Sequence, residues 1–132
     1  MNNTLNANLV FINNKGKSIQ YPIQGQHFKM VLRLSNNSDS VVTNFLPSEA
    51  YLSHVSNQSL MQGISFTSNG PVSIPPNESV QFETIQFRTF HKNICTINIK
   101  LISRNPVNIV LDTPLEKNLV PSKENYIFAQ LF

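Results

Sequence analysis

The sequence predicts an all-β domain, a sandwich or barrel of about seven to nine short antiparallel strands. Three observations predict it. Apolar side chains recur with period two over the last two thirds of the chain. Phe28, Met30, Leu32 and Leu34 alternate with Lys29, Val31 and Arg33, and Cys95, Ile97, Ile99 and Leu101 alternate with Thr96, Asn98 and Lys100. Successive side chains on a strand point to opposite faces, so each run buries one face and wets the other. Pro- and Asn-rich clusters separate these runs at intervals of about ten residues, the spacing of a sandwich or barrel. The length, 132 residues, suits one domain that can bury a core without a disulfide or metal staple.

Taken in order, residues 1–8 (MNNTLNAN) hold few apolar groups and no charge. They predict an N-terminal arm, disordered or docked on a neighbour, ahead of a domain over 9–132. Leu9 to Ile12 is a short first strand. Asn13-Asn14-Lys15-Gly16 turns the chain, since Asn and Gly tolerate positive φ. Ser18 to Ile23 is a second short strand, held to an edge or bend by Pro22. His27 to Ser35 is the clearest strand, and Val41 to Leu46, ended by Pro47, is its partner across the turn at 36–40. Ser48 to Gln62 keeps neither period and predicts a loop with one short helix, capped by Ser48, or an irregular edge strand.

Ile64 to Thr67 is a short strand. Ser68-Asn69-Gly70-Pro71 is a turn, and Ser73 to Glu78 is a proline corner. Val80 to Phe90 is a strand whose phase changes: Val80 and Phe82 share one face, Ile85 and Phe87 the other. Such a slip predicts a β-bulge near Glu83-Thr84 or a crossing between sheets. Ile94 to Ser103, Val107 to Leu111 and Tyr126 to Phe132 complete the set, the last as a strand or docking tail, with a loop from Asp112 to Glu124. The predicted core is Phe28, Met30, Leu32, Leu34, Phe82, Phe87, Ile97, Ile99 and Leu101. No internal repeat is visible.

Charged residues form 13% of the chain, about half the usual quarter. The polar surface is instead Asn, Ser, Gln and Thr, and about one residue in seven is Asn. Neutral polar surface is cheaper to dehydrate than charged surface, and interfaces are depleted in charge at their centres. The composition therefore suits an assembled protein; codon usage in an AT-rich genome would enrich Asn, Lys, Ile and Phe as well. The net charge of +3 is dispersed over the chain. A nucleic-acid binder would concentrate it in a run or on an aromatic-studded face, so no nucleic acid is expected. The sequence after Met1 has no basic region followed by an apolar stretch, so no signal peptide is read; either the chain acts where it is made or a leader has been removed. No apolar run reaches the length of a membrane span.

The stretch from Gly25 to Leu101 resembles a bacterial or phage immunoglobulin-like β-sandwich. Three pieces carry the resemblance: the alternating strand Gly25 to Asn36, the corner Ile74-Pro-Pro-Asn-Glu-Ser-Val80, and the long stretch Phe82 to Leu101. It implies an immunoglobulin-like architecture and no particular function, since such modules serve many roles. The chain departs from antibody-type domains in having no Trp and a single cysteine, so it lacks the inter-sheet disulfide and its Trp partner.

No motif for catalysis, cofactor or metal emerges. His27, His54 and His91 have no metal-ligand spacing, the seven carboxylates are scattered, and the four glycines stand singly. Cys95 lies on the apolar phase of its strand and reads as a small core hydrophobe. Asn2, Asn36, Asn57 and Asn77 each open an Asn-x-Ser/Thr triplet, about as many as this composition yields by chance.

The two ends draw the functional expectation. Residues 126–132 crowd Tyr126, Ile127, Phe128, Ala129, Leu131 and Phe132 together. A frayed tail would not be this apolar, so it must complete a sheet or meet a partner. The candidate interface is Asn2, Asn3, Thr4 and Leu5 at one end and Tyr126, Phe128, Leu131 and Phe132 at the other. The expectation is a non-enzymatic structural protein without cofactor, a virion component such as a phage capsid or tail accessory protein, working through protein contacts as a homo-oligomer or larger assembly. The alternative is a secreted or periplasmic module at the bacterial cell surface for adhesion or carbohydrate binding.

Overall fold

A computed structural model describes residues 3–19, 25–54, 61–67, 70–88, 94–102, 107–111, 118–119 and 126–130. Among them there is no helix. Eight strands have five or more residues: β1 (Asn3–Asn13), β3 (His27–Asn36), β4 (Val42–His54), β5 (Met61–Thr67), β7 (Ser79–Thr84), β9 (Ile94–Ile102), β10 (Val107–Leu111) and β12 (Tyr126–Gln130). Four short pieces accompany them: β2 (Ser18–Ile19), β6 (Val72–Ile74), β8 (Phe87–Arg88) and β11 (Asn118–Leu119). Hydrogen-bonded neighbours run β10-β1-β3-β7-β5-β4-β9-β12-β11, with β2 on β1, β6 on β4 and β8 on β3. Every pairing is antiparallel except β1 with β10.

The path makes two sheets that share β5. Its Met61–Ser65 stretch pairs with β4, while Phe66 and Thr67 pair with Thr84 and Glu83 of β7. One sheet buries Leu5, Ala7, Leu9 and Phe11 from β1, and Phe28, Met30, Leu32 and Leu34 from β3. The other contributes Phe45, Leu52, Ile97 and Ile99 to the same core. Phe28 is the aromatic centre at one end. It stands edge-on to Phe11, with ring centroids 5.4 Å apart, and tilted against Phe87 at 4.5 Å, spacings at which aromatic pairs attract beyond their buried area. Of the predicted core, Phe28, Met30, Leu32, Leu34, Phe82, Phe87, Ile97 and Ile99 are buried; the side chain of Leu101 lies outside the described residues.

Several expectations are corrected. The segment read as an arm belongs to the domain from Asn3 onward. Leu5 and Ala7 are fully buried, and Leu5 to Asn13 pair with Asn36 to Phe28. The alternation of the first strand extends back through Ala7 to Leu5, so residues 3–8 are ordered by their own domain. β4 is not the partner of β3. The turn at 36–40 carries the chain from one sheet to the other, where β4 pairs with β5, β6 and β9.

Nor does Pro47 end that strand. β4 runs to His54, so of the two expectations for 48–62 the described residues take the irregular strand, lying between β5 and β9 and not at an edge. The ladder with β9 slips by one residue between Pro47 and Glu49. A bulge is where a ladder tolerates a residue with no N–H. A second slip, between Ser53 and His54, leaves Cys95 as the extra residue on β9. Of the second predicted strand only Ser18–Ile19 is described as strand, and Gln20–Gln24 lie outside the described residues.

The phase slip in the seventh strand is present, one residue later than predicted. Val31 pairs with Glu83, but Phe28 pairs with Phe87, so Ile85 and Gln86 together face Lys29. Ile85 does not share the buried face of Phe87; it is 64% exposed. Thr84 takes the inward position. Its Oγ1 accepts a hydrogen bond from the Met30 N–H at 3.0 Å and donates one to the Ile85 carbonyl at 2.9 Å. The hydroxyl thus supplies the bonds that the bulge removes from the backbone ladder, and a buried side-chain oxygen with two partners costs little.

Candidate functional site

Asn36 closes the exit of β3 and fixes the surface around it. It is fully buried. Its Nδ2 donates to the carbonyls of Ser40, at 2.9 Å, and Ile74, at 2.7 Å. Its Oδ1 accepts from the Ser38 N–H at 2.9 Å and the Ser38 hydroxyl at 2.6 Å. The main chain adds Asn36 N–H to the Glu78 carbonyl and Asn77 N–H to the Asn36 carbonyl, at 2.9 and 2.8 Å. The short β3 turn and the proline corner are therefore one hydrogen-bonded unit. Asn77 completes it in the left-handed region at φ 63°, which Asn adopts more readily than most residues. An amide with both hydrogens engaged and no exposure is no glycosylation acceptor, so the Asn36 triplet is structural.

The predicted interface residues divide. Leu5 is spent on the core of its own domain, with no exposure. Thr4 is half-buried, opposite Asn108 of β10, and Asn3 stands opposite Val107. Tyr126 and Phe128 lie in β12, in register with Lys100 and Asn98 of β9. Asn2, Leu131 and Phe132 lie outside the described residues. The fold nevertheless brings the two ends together. β10 runs parallel to the first half of β1, from Asn3 opposite Val107 to Ala7 opposite Leu111, and it also comes close to β12.

Among the described residues no ladder of hydrogen bonds joins β10 to β12. Among the described residues β10 has one hydrogen-bonded neighbour, β1. β12 has β9 along its length, but β11 reaches only Ala129 and Gln130. Neither β10 (VNIVL) nor β12 (YIFAQ) contains a charged residue or a proline. Val110 is 45% exposed on β10, a large apolar side chain at the seam. The sequence signals for this seam were the apolar tail and the uncharged N-terminal segment; the part played by β10 was missed, because parallel pairing with β1 joins residues a hundred positions apart.

Among the described residues, depressions mark the outer surface at two places that bear on binding. One, of about 510 Å³, lies where β5 and β8 diverge and is lined by Tyr51, Gly63, Phe66, Thr67 and Ile85 among others. A side chain at position 63 would stand 3.3 Å from the Tyr51 ring, so glycine lets that ring lie across β5. The Gln62 side-chain amide bridges the divergence to the Arg88 carbonyl at 2.8 Å. The second, on the outer face of β1 and β3, is lined by polar side chains around Arg33.

His27 is exposed on β3, His54 lies in β4 opposite Ile94, and His91 lies outside the described residues. Among the described residues no three His, Cys, Asp or Glu side chains converge as metal ligands would, and no helix is long and apolar enough to cross a membrane. Compared with known proteins, the chain matches no family model, no curated protein and no solved structure.

Proposed function

We propose that this chain is a non-enzymatic structural protein, an immunoglobulin-like sandwich that works as a virion component, such as a phage capsid or tail accessory protein, by joining copies of itself through protein contacts. The edge of β10 away from β1, which no described strand pairs, carries the reading. A strand edge presents unpaired N–H and C=O groups and is a template for another strand. Natural monomers blunt such edges with charge, proline or a bulge. β10 has none of these, and it adds an exposed Val110. Low charge over the whole chain, 13%, suits surface that is dehydrated in an assembly.

The test is the mass of the purified full chain by multi-angle light scattering. An oligomer of fixed stoichiometry is the expected result. Val110→Lys should reduce it to a monomer with an unchanged circular dichroism spectrum. A wild-type chain that is monomeric at micromolar concentration, or a Val110→Lys variant that assembles normally, overturns the reading.

A further inference from the structure

The outer face of the β1–β3 pair holds a groove of about 350 Å³ lined by Asn6, Ala7, Asn8, Arg33, Ser35 and Asn37. Strand register builds it. Asn6 stands opposite Ser35 and Asn8 opposite Arg33, while the alternate residues Leu5, Ala7, Leu32 and Leu34 are buried beneath. The next strand supports it, since the Ser35 hydroxyl lies 2.9 Å from that of Ser79. Asn37 closes one end, where its N–H donates to the Thr4 carbonyl at 3.3 Å.

The lining chemistry is unusual for a solvated strand face. Among the described residues its lining has one cation and no carboxylate. Among the described residues no acid pairs with Arg33; Glu83, on the neighbouring strand, is held by Lys29 at 2.7 Å. The guanidinium fork is shaped for bidentate binding of a carboxylate. Around it stand three amides and a hydroxyl, each able to donate and accept. An isolated anion would use Arg33 and leave those groups idle. A ligand that bears one carboxylate on a ring of hydroxyls uses all of them.

We propose that this groove binds a carboxylated sugar, with Arg33 taking the carboxylate and Asn6, Asn8, Asn37 and Ser35 taking the ring hydroxyls. The site shares no residue with the proposed seam and stands or falls independently of assembly.

A ¹H–¹⁵N NMR titration of the full chain tests it. The probes are sodium glucuronate and N-acetylneuraminate, against methyl glucopyranoside and sodium acetate. Saturable shifts confined to amides near residues 6–8 and 33–37 are expected with the acidic sugars, with binding at least about tenfold weaker for the neutral sugar and for acetate, the value of one charge-assisted pair. Arg33→Met should weaken binding about tenfold or more, and Asn8→Ala about threefold, with the rest of the spectrum unchanged because both side chains are exposed. The proposal is overturned if neither acidic sugar gives saturable shifts. Acetate binding as well as the sugars would reduce the groove to an anion site and overturn it too, as would undiminished binding by Arg33→Met.

Discussion

Buried polar side chains, more than apolar ones, define this fold in detail. Leu32 and Ile99 are both fully buried, and truncation of either to Ala should cost about 2–5 kcal/mol in urea unfolding. Many apolar residues could fill their places. Asn36 and Thr84 are different, because each is the partner of specific backbone groups. Asn36→Ala strips the buried Ile74 carbonyl and the half-buried Ser38 N–H of their Asn36 partner, while the Ser40 carbonyl keeps the Ser38 hydroxyl. A buried group left unpaired costs about 1–3 kcal/mol, so this variant should lose about that much stability although it removes no apolar surface. Asn36→Asp should be worse still, since a carboxylate would face two carbonyls. An Asn36→Ala protein with wild-type urea midpoint would refute this account. Thr84→Val is the matching test at the bulge: it keeps the shape, leaves the Met30 N–H without its acceptor, and should cost about 1–3 kcal/mol. By contrast Ile85→Ser, at a site 64% exposed, should stay within about 0.5 kcal/mol of wild type.

At the scale of elements, the strands the sequence made legible are those with one wet and one buried face. β3 is legible because Phe28, Met30, Leu32 and Leu34 are buried while His27, Lys29, Arg33 and Ser35 are not, even though Val31 on the outward phase is buried too. β1 obeys the same rule, but its inward Ala7 is small and its outward Thr4, Asn6 and Asn8 are uncharged, so the segment reads as a polar arm unless the phase is traced back from Phe11. β4 was hidden for another reason. Pro47 and the bulge after it break the period, and a proline reads as a stop unless a ladder slip is there to absorb it. Pairing was the least legible feature. Adjacent strands in sequence usually pair, yet β3 and β4 lie in different sheets, separated by the turn that Asn36 fastens. The arm-like reading and the observed strand predict opposite outcomes for a truncation. Deleting residues 1–8 removes Leu5 and Ala7 from the core and takes away the strand against which β10 pairs. The truncated chain should therefore lose its cooperative thermal unfolding transition. A folded, cooperatively melting product would restore the arm.

For the whole molecule, the same near-absence of charge that leaves function unmarked in the sequence sets the physical character of any assembly it forms. Formal charge is +3 over 132 residues, and repulsion between copies at that level is weak. The seam strands β10 and β12 hold no Asp, Glu, Lys, Arg or His, so backbone hydrogen bonds and apolar burial, not ion pairs, would join copies there. Ion pairs between exposed groups weaken as salt shortens the Debye length from about 30 Å at 0.01 M to about 3 Å at 1 M. Apolar burial does not weaken in this way, and strongly hydrated salts such as sulfate reinforce it. The association constant, measured by sedimentation across that range of sodium chloride, should accordingly stay constant or rise, and sodium sulfate should raise it. An assembly joined through dispersed cations such as Arg33 or Arg88 would instead dissociate as salt increases. Steep dissociation in sodium chloride would move the interface off the seam and onto the charged strand faces.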